Sequence, residues 1–502
     1  MGVTVSRPLL FNINRKIAKE MILAELFPYA NVVYNILTVL YFLSVLAIVV
    51  VVLSENRNPV KSMAWVLVLL LLPVVGLAIY LTFGRSLKGM SLISRSDLRE
   101  LRRLNDYSYD SELEQGLSDS SKQIISLVNK MAGPHLFTGN GIEIFTTGQD
   151  KFASLLRDIE AAQDYVHVQY FIIENDDVGA QLIDVLKRKA QEGVQVRVLY
   201  DYVGSFYMRP RVLKEMRHAG IEVHPFLEVT PANVAFRINW RNHRKIVVID
   251  GKVGYVGGMN IAKRYVTGDK KWKAWRDTHL RIAGEAVAAM EYSFAIDWNY
   301  TTRKLITLPT MHYDTPPANP EYMVQMLGSG PTSRWNNISF VFQRAISLAT
   351  KRVYIQTPYF LPSEALLKTL QSAALSGVDV RLMIPRRPDS WMLRLATGSY
   401  IKQCLLSGMK IYYYEPTVMH AKVVITDDEF VTTGSTNFDF RSFEHNFEFN
   451  ALIYSKEFNQ KMCATFEADM NKCSRVSMGK WKKRPLVQKA LESVIRLFSP
   501  IL

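Results

Sequence analysis

The chain has 502 residues and carries 61 Lys and Arg against 46 Asp and Glu, a formal net charge of +15. This length indicates two or three domains with sizeable cores, and the charge favours an anionic partner, either nucleic acid or an acidic membrane surface. The three cysteines, Cys404, Cys463 and Cys473, have neither the number nor the spacing of a disulfide framework or a thiolate metal site, so a reducing compartment is expected.

Two long apolar stretches follow a charged leader at residues 1–30. They cover residues 31–53 and 62–83, and neither contains Asp, Glu, Lys or Arg. Each stretch is long enough to cross a bilayer as a helix, so we predict a transmembrane helical hairpin in residues 31–83. A hairpin buried in a protein core is the alternative interpretation.

The distribution of Lys and Arg predicts the orientation of this hairpin. Four basic residues precede it and six follow it closely, whereas the connector has only Arg57 and Lys61. Because cytoplasmic flanks are enriched in positive charge, we expect both ends and the large C-terminal body on the cytoplasmic side. The leader also has an apolar helical stripe that is compatible with an interfacial helix, formed by Ile13, Ile17 and Met21.

The remainder of the chain is organised as a duplication. Residues 132–308 and 322–502 repeat one alternation of apolar strands and helices, and a proline-rich linker at 309–321 separates them. This alternation predicts an α/β fold with two pseudo-symmetric halves, in which helices flank mixed β-sheets. Residues 84–131 are polar and charged, which predicts a helical or loose tether. The first half has an insert at 227–240, either a substrate-facing rim or a plain surface loop.

Both halves carry the motif His-x-Lys-x4-Asp, followed at equal offsets by two small residues and an Asn. The Asn follows the His by 17 positions in each copy, and so many matched positions at identical spacing are not a chance occurrence. The first copy consists of His243, Lys245, Asp250, Gly257, Gly258 and Asn260, and the second consists of His420, Lys422, Asp427, Gly434, Ser435 and Asn437.

The positions within each motif predict different roles. A β-branched run after each Lys indicates a buried strand, and a His and a Lys two positions apart project from one face of it. Asp250 and Asp427 belong to the motif that we group as catalytic, but their odd parity favours organising the strand end over touching substrate. The candidates for phosphate binding follow the strand, where small residues admit an anion and amides donate to it: Gly258, Asn260, Ser435 and Asn437.

Two His, two Lys and two Asn are sufficient to attack a phosphodiester without a metal ion or cofactor. One neutral His attacks phosphorus and forms a covalent phosphohistidine, while the other His protonates the leaving alcohol and deprotonates the incoming one. The Lys and Asn side chains stabilise the charge of five-coordinate phosphorus. A third group should orient each His; Asp277 and Glu448 are candidates, although the residues alone also allow ordinary surface acids.

The duplicated motif resembles the signature of the phospholipase D superfamily, and further segments are similar to its bacterial cardiolipin synthases, among them residues 59–85, 356–360 and 434–442. The resemblance implies transfer of a phosphatidyl group between two phosphatidylglycerol molecules, with release of glycerol, in a metal-free cleft where both half-sites meet. It also implies a bacterial cell membrane location, with the chain crossing the membrane more than once.

The resemblance further implies roles for individual residues. His243 is expected to be the nucleophile and His420 the general acid and base, while Asp277 and Glu448 are expected to orient the two rings. Anionic phospholipid, phosphatidylglycerol above all, is the implied substrate, and no cofactor is implied.

Other functions remain as alternatives. A membrane phospholipase D would use water in place of the alcohol, and the choice depends on how well the cleft excludes water. A catalytically inactive lipid-binding scaffold is a second alternative. A nuclease is disfavoured by the two apolar stretches, so no nucleic-acid partner is expected, and no oligomeric state is predicted. A basic cluster at 480–484 precedes an amphipathic segment at 486–498, which lies either on the bilayer or on the body.

Overall fold

The fold is taken from a computed structural model that describes residues 29–54, 59–72, 74–85, 87–103, 111–133, 135–231, 233–306 and 321–499. The chain forms two compact units, Met1–Arg85 and Ser86–Leu502. Most of the predicted leader (1–30), residues 55–58 of the predicted hairpin connector and nearly all of the predicted linker (309–321) lie outside the described residues.

The N-terminal unit is helical. It contains α1 (Ala30–Ser54), α2 (Pro59–Leu71), α3 (Val75–Ile79) and a π-helical turn at Tyr80–Gly84. Among the described helices, the segment Asn31–Ser54 alone is both long and apolar enough to cross a membrane. Most of its side chains are exposed, while Val45 and Val52 are buried in a small cluster with Leu69 of α2.

The second apolar stretch is interrupted, which differs from the single spanning helix predicted over residues 62–83. α2 ends at Leu71 and α3 begins at Val75, and the intervening Val74 has a φ of 64°, in the left-handed region. The sequence has proline at position 73, and proline has no amide hydrogen for a helical hydrogen bond, which accounts for a break here. The stretch is therefore divided into two shorter helical pieces.

The first half of the C-terminal unit alternates helices and strands. Its helices are α4 (Arg95–Arg103), a 3-10 turn (Ser111–Glu114), α5 (Asp119–Ala132), α6 (Gly148–Glu160), α7 (Asp177–Gln191), α8 (Pro210–His218), α9 (Val234–Arg237), α10 (Lys263–Val266) and α11 (Val287–Thr302). Its strands are β1 (Phe137–Phe145), β2 (Tyr165–Tyr170), β3 (Gln195–Asp201), β4 (Glu222–Phe226), β5 (Arg241–Asn242), β6 (Lys245–Ile249), β7 (Val253–Gly257) and β8 (His279–Ala283).

The second half repeats this order. Its strands are β9 (Tyr322–Ser329), β10 (Arg352–Gln356), β11 (Phe360–Leu361), β12 (Asp379–Pro385), β13 (Lys410–Tyr414), β14 (Val423–Thr426), β15 (Phe430–Gly434), β16 (Phe438–Asp439), β17 (Asn446–Tyr454) and β18 (Cys473–Arg475). Its helices are α12 (Asn337–Leu348), α13 (Glu364–Leu375), α14 (Trp391–Leu406), α15 (Phe440–Glu444), α16 (Lys456–Met470), α17 (Met478–Lys482) and α18 (Leu486–Arg496).

A mixed sheet runs through both halves. In the described residues its strands follow the order β18-β13-β12-β10-β14-β15-β17-β9-β1-β8-β7-β6-β2-β3-β4, with β5 added beside β17. The order is nearly symmetric about the antiparallel β1–β9 pair, because β2, β3 and β4 are parallel in one half and β10, β12 and β13 in the other. The predicted α/β fold with a mixed sheet is thus present, and the sheet is continuous from one half to the other.

The motif strands β6 and β14 each have two antiparallel neighbours and lie next to the parallel strands of their half. β6 pairs antiparallel with β2, where Tyr170 faces Lys245, and β14 pairs antiparallel with β10. Each motif His precedes its strand, so it lies at the edge formed by the carboxyl ends of the parallel strands. Active sites of α/β proteins commonly occupy this edge.

The described part of the predicted tether is helical and belongs to the body. Ile124, Ile125 and Val128 of α5 are buried against α12 and β9, and the α4 residue Leu101 is buried against Trp298. These side chains are apolar, and packing on the body removes them from water.

The C-terminal amphipathic segment packs on α14 in the structure. Glu492 and Ile495 of α18 are buried, while Leu486, Val487 and Val494 remain exposed. The body therefore covers one face of this helix and leaves a second apolar face free.

Candidate active site

The first motif places His243 and Lys245 side by side at the strand edge. Backbone hydrogen bonds of β6 to β2 and β7 hold the motif, and every residue of β6 is buried. The His243 ring packs edge-on against Phe171, with centroids 4.9 Å apart, and only 7 % of the residue is exposed. Lys245 is fully buried, and its Nζ donates to the carbonyl oxygen of His243 at 2.5 Å.

The second motif repeats this arrangement. His420 is 6 % exposed, and its ring lies against the rings of Tyr265 and Trp275, both contributed by the first half. Lys422 is buried and its Nζ donates to the carbonyl oxygen of His420. The two half-sites thus share a buried His and a buried Lys, and differ in the aromatic rings that enclose the His.

Each imidazole is bonded to a carboxylate of the other half. Nδ1 of His243 lies 3.0 Å from Oε1 of Glu448, and Nδ1 of His420 lies 2.7 Å from Oδ2 of Asp277. An ionised carboxylate only accepts hydrogen bonds, so each Nδ1 carries the proton and each Nε2 keeps a lone pair. Nζ of Lys422 lies 3.4 Å from Nε2 of His420. Asp277 and Glu448 therefore lie where an orienting group is needed, but each serves the His of the opposite motif.

Backbone hydrogen bonds also cross between the two halves at each His. The amide of His243 donates to the carbonyl oxygen of Phe447 at 2.9 Å, and the amide of His420 donates to that of Arg276 at 2.6 Å. Phe447 and Arg276 immediately precede the two carboxylates. Each His is therefore fixed by main chain and side chain of the other half, which places the two half-sites next to each other.

Burial and charge keep both imidazoles neutral in the free site. Burial, followed by the positive charge of Lys422, lowers the pKa of His420 to about 4 despite the opposing effect of Asp277. Burial also lowers the pKa of His243, and Lys245 and Lys422 add to this, while Glu448 opposes it. An anionic phosphodiester between the rings would favour their protonated forms and so raise both pKa values.

The two carboxylates stay ionised although they are buried. Burial raises the pKa of Asp277, but Lys422 and His420 together outweigh it and hold that pKa below its usual value. The pKa of Glu448 is likewise lowered, because His243 and Lys245 outweigh the effect of burial. Burial lowers the pKa of both motif lysines. The site thus combines two neutral imidazoles with a negatively charged carboxylate beside each Nδ1.

The two motif Asn residues are both buried. Oδ1 of Asn260 accepts from the amide of Ile172 at 3.2 Å, and its Nδ2 donates to the Tyr265 hydroxyl at 3.1 Å. An amide nitrogen has two hydrogens, so one of them stays available to a ligand. Asn437 is buried, and its Oδ1 has no partner among the described residues.

The small residues Gly258 and Ser435 make room for the carboxylates. A Cβ at Gly258 would lie 2.1 Å from Oδ1 of Asp277, so a side chain there would displace that carboxylate. Ser435, at the same place in the second motif, donates its hydroxyl to Glu448. These positions were predicted to bind phosphate, whereas the structure places them against the orienting groups.

Asp250 and Asp427 lie at the far ends of their strands. Asp250 accepts from the consecutive amides of residues 163–165, and Asp427 accepts from those of residues 350–352. Both have positive φ values, 51° and 45°. They connect the strand ends to the start of the neighbouring strands. Their position therefore matches the predicted strand-end role, and they do not lie with the catalytic candidates His and Lys of the same motif.

Sequence reasoning did not identify the aromatic residues around His420. Tyr265 approaches its Nδ1 to 3.5 Å, and the Trp275 ring lies 5.1 Å away between centroids. Neither position has an aromatic counterpart at the same offset from the second motif His, where Ser442 and Leu452 occur. A search for residues that are repeated in both halves therefore does not find them. Within the described ranges, no group of three or more His, Cys, Asp or Glu is arranged to hold a metal ion.

Comparison with known families matches both units. The family described as "Cardiolipin synthase, PLD-like domain" matches residues 155–298 and 342–470, and "Phospholipase_D-nuclease N-terminal" matches residues 42–85. A phosphatidylserine synthase of Haemophilus influenzae Rd KW20 has a similar fold, with a TM-score of 0.55 at 16% identity, over 76% of this chain and 100% of that one.

Curated relatives are similar along nearly the whole chain. "Major cardiolipin synthase ClsA" of Bacillus subtilis (strain 168) is 40% identical over 479 residues, 93% of this chain and 99% of that protein. "Cardiolipin synthase" of Staphylococcus aureus (strain Mu50) is 37% identical over 486 residues, 94% of this chain and 98% of that protein. These similarities confirm the resemblance drawn from the duplicated motif, and the chain belongs to the cardiolipin synthase family of the phospholipase D superfamily.

Proposed function

We propose that this phosphatidyltransferase joins two phosphatidylglycerol molecules into cardiolipin and glycerol through a covalent phosphatidyl-histidine. The observation that carries the proposal is the pair of imidazoles, each with Nδ1 bonded to a carboxylate of the opposite half, which leaves the lone pair on Nε2. Family membership supports the substrate class, since the relatives are named as cardiolipin synthases.

In the first step, Nε2 of His243 attacks the phosphorus of one phosphatidylglycerol. The P–N bond forms as the P–O bond to glycerol breaks, and His420, protonated at Nε2, gives its proton to the departing glycerol oxygen. The buried ammonium groups of Lys245 and Lys422 stabilise the additional negative charge on the phosphoryl oxygens. The assignment of His243 as nucleophile follows the superfamily resemblance.

In the second step, a glycerol hydroxyl of another phosphatidylglycerol enters. Neutral His420 takes the hydroxyl proton, the oxygen attacks phosphorus, and the P–N bond to His243 breaks with its electron pair returning to Nε2. Both imidazoles regain their starting protonation states, and cardiolipin leaves. Glu448 and Asp277 stabilise the positive charge that passes from one ring to the other.

Lipid products of the purified protein on phosphatidylglycerol vesicles test this proposal. We expect cardiolipin and glycerol in equal amounts. Phosphatidic acid without cardiolipin would instead indicate the hydrolytic alternative, and the absence of any product would favour the lipid-binding scaffold. Activity is expected to persist in EDTA, and loss of activity in EDTA would count against a metal-free reaction.

For the N-terminal unit, we propose that both apolar stretches enter the membrane as a hairpin, with the catalytic body on the cytoplasmic side. The length and hydropathy of α1 and the excess of Lys and Arg on both outer flanks support this arrangement. The interrupted second stretch needs partner surface around the break, because unsatisfied backbone groups are costly in lipid.

Cysteine labelling in intact cells tests the orientation. A variant with Arg57→Cys in the connector should react with a membrane-impermeant maleimide added outside. The matched variant Arg99→Cys, beyond the second stretch, should react only after the cells are broken. Labelling of position 99 in intact cells would contradict the cytoplasmic placement.

A further inference from the structure

Large apolar side chains are exposed around the edge of the sheet that carries the two motif histidines. Phe206 is 69% exposed, Tyr207 is 82% exposed and Trp391 is 63% exposed. Exposed apolar groups that cluster around a cleft usually mark a surface with a partner.

In the first half, the exposed residues belong to the loop after β3, and this loop is bonded to the active-site strand. Asp201, the last residue of β3, accepts from the amide of Asn242 at 2.8 Å, one residue before His243. The hydroxyl of Ser205 donates to the carbonyl oxygen of Phe171, whose ring packs on His243. Phe206 and Tyr207 follow directly, so they project from the immediate border of the site.

The insert before the first motif adds to this border. Val234 and Ile238 are one helical turn apart in and just after α9, and both are exposed. The insert leads into Trp240, which is buried against His445, and then into β5 and His243. An exposed apolar pair therefore stands a few residues ahead of the nucleophile, which favours the rim over the plain surface loop.

The second half supplies the corresponding loop after β12. Asp389 in this loop accepts from the Tyr359 hydroxyl at 2.5 Å, and its negative charge acts on the pKa of His420. Trp391 stands two positions later, at the first turn of α14. The two halves thus expose aromatic residues at equivalent places, one after β3 and one after β12, on either side of the cleft.

Basic residues accompany the aromatic ones. Arg209 follows the first loop, and Arg387 and Arg394 flank Trp391; all three are exposed. Aromatic rings partition into the interfacial region of a bilayer, and Lys and Arg beside them are attracted to anionic headgroups. This composition fits an anionic lipid surface better than a protein partner of neutral charge.

We propose that the exposed rim formed by Val203, Phe206, Tyr207, Val234, Ile238 and Trp391 inserts into the surface of an anionic bilayer, so that the cleft opens directly onto the lipid headgroups. The inference rests on the proposed function, because it assumes that the substrate phosphodiester is presented by a membrane. It assigns the rim to capture of substrate from the bilayer and not to the chemical step.

Kinetics on two physical forms of one substrate test the rim. The full-length variant with Phe206→Ser, Tyr207→Ser and Trp391→Ser should lose at least about tenfold in rate on phosphatidylglycerol vesicles. It should stay within about twofold of the unmodified protein on a short-chain phosphatidylglycerol kept below its micelle concentration. Equal rates on vesicles, or equal losses on both substrates, would overturn the proposal.

Two exposed leucines at the opposite edge of the sheet provide a matched control. Leu375 is 73% exposed at the end of α13, and Leu406 is 64% exposed at the end of α14, where the chain returns to the amino ends of β12 and β13. The variant with Leu375→Ser and Leu406→Ser should keep its rate on both substrates. A loss on vesicles equal to that of the rim variant would contradict a specific role of the rim.

A readout independent of activity separates this inference from the proposed function. The fluorescence of Trp391 is the difference between the emission of the unmodified protein and that of the Trp391→Phe variant. Lipids with brominated acyl chains should quench this fluorescence. Quenching of Trp391 without cardiolipin formation would retain the rim and reject the proposed reaction. Cardiolipin formation with an unquenched Trp391 would reject the rim alone.

Discussion

In the proposed reaction, Glu448 and Asp277 determine which nitrogen of each imidazole reacts. Each carboxylate accepts from Nδ1–H, which leaves Nε2 as the nucleophile or the proton carrier. The carboxylates are themselves bonded by donors nearby, Ser435 for Glu448 and the amide of Thr278 for Asp277. The reactivity of each motif therefore depends on residues of the other half.

Replacing these carboxylates should impair turnover more than binding. In Glu448→Gln and Asp277→Asn the side-chain amide can hold the wrong tautomer, so we expect kcat to fall by about 10²- to 10⁴-fold, as for orienting carboxylates in other triads. The check is kcat and KM on phosphatidylglycerol, with circular dichroism to verify folding. Unchanged kcat in either variant would show that the imidazole does not need its cross-half partner.

The pH dependence should be bell-shaped, because one imidazole must be neutral and the other protonated. The pKa values of both are lowered in the free site, to about 4 for His420, so kcat/KM should reach its maximum below neutral pH. Bound phosphodiester adds negative charge and raises these pKa values, so the kcat profile should lie at higher pH than the kcat/KM profile. Profiles that coincide, or a kcat profile at lower pH, would contradict the two-imidazole scheme.

The motif residues were predictable from the sequence because their spacing is repeated, and their strand parity placed His and Lys on one face. The odd parity of Asp250 and Asp427 also pointed to their strand-end position. The sequence did not predict that Glu448 bonds to His243 and Asp277 to His420. Residue spacing within one half contains no information about how the two halves pack together. Gly258 lies against Asp277 and Ser435 against Glu448, and these are contacts within one half that the repeated spacing does not reveal.

At the scale of elements, helix α6 carries a buried amine that has no role in the proposed reaction. Nζ of Lys151 donates to the Tyr170 hydroxyl at 2.8 Å, and the residue is fully buried. Burial lowers the pKa of Lys151 to about 7. Ile338 occupies the same position relative to β10 as Lys151 does relative to β2, and it is also buried. An apolar side chain is therefore compatible with this place in the fold.

Lys151→Met should change the pH dependence of stability. Above pH 7 the unfolded chain keeps the Lys151 proton while the folded chain releases it, so the free energy of unfolding rises with pH up to about 10.5, by about 1.4 kcal/mol per pH unit. The variant should lack this slope and have a higher Tm at pH 7. Thermal unfolding of both proteins in detergent at pH 7 and pH 9.5 is the measurement, and parallel pH dependences would contradict the burial cost.

The strands and helices of the body were largely predictable, since apolar periodicity decides whether a segment is buried in a sheet or on a helix. The second apolar stretch shows the limit of this reasoning. Its composition predicts one spanning helix. Proline at position 73 has no amide hydrogen to donate within a helix, and the stretch is divided there. The sequence also did not predict that α5 packs on the body, because the segment 84–131 that contains it is mostly polar and charged.

At the scale of the whole molecule, the two halves form one structure. β1 pairs with β9 across the centre of the sheet, β5 pairs with β17, and both His–carboxylate bonds cross between the halves. A half alone would contain a His and a Lys without the orienting group. The duplication in the sequence indicated two similar halves, whereas their mutual dependence follows from the docked structure.

Cutting the predicted linker tests this dependence. A protease site introduced within residues 309–321 of the full chain should allow cleavage without loss of activity, because the shared sheet and the two crossed bonds hold the pieces together. The pieces should copurify, and either piece expressed alone should be inactive. Activity of an isolated half, or dissociation of the cut protein with activity retained, would contradict the shared site.

The covalent intermediate is the central claim of the account, and trapping it is the direct measurement. Enzyme mixed with phosphatidylglycerol labelled at phosphorus is quenched in alkaline denaturant, which preserves a P–N bond, and the labelled residue is mapped. The account predicts label on His243, absent in His243→Ala. Turnover without bound label, or label on any side chain other than an active-site imidazole, would contradict it.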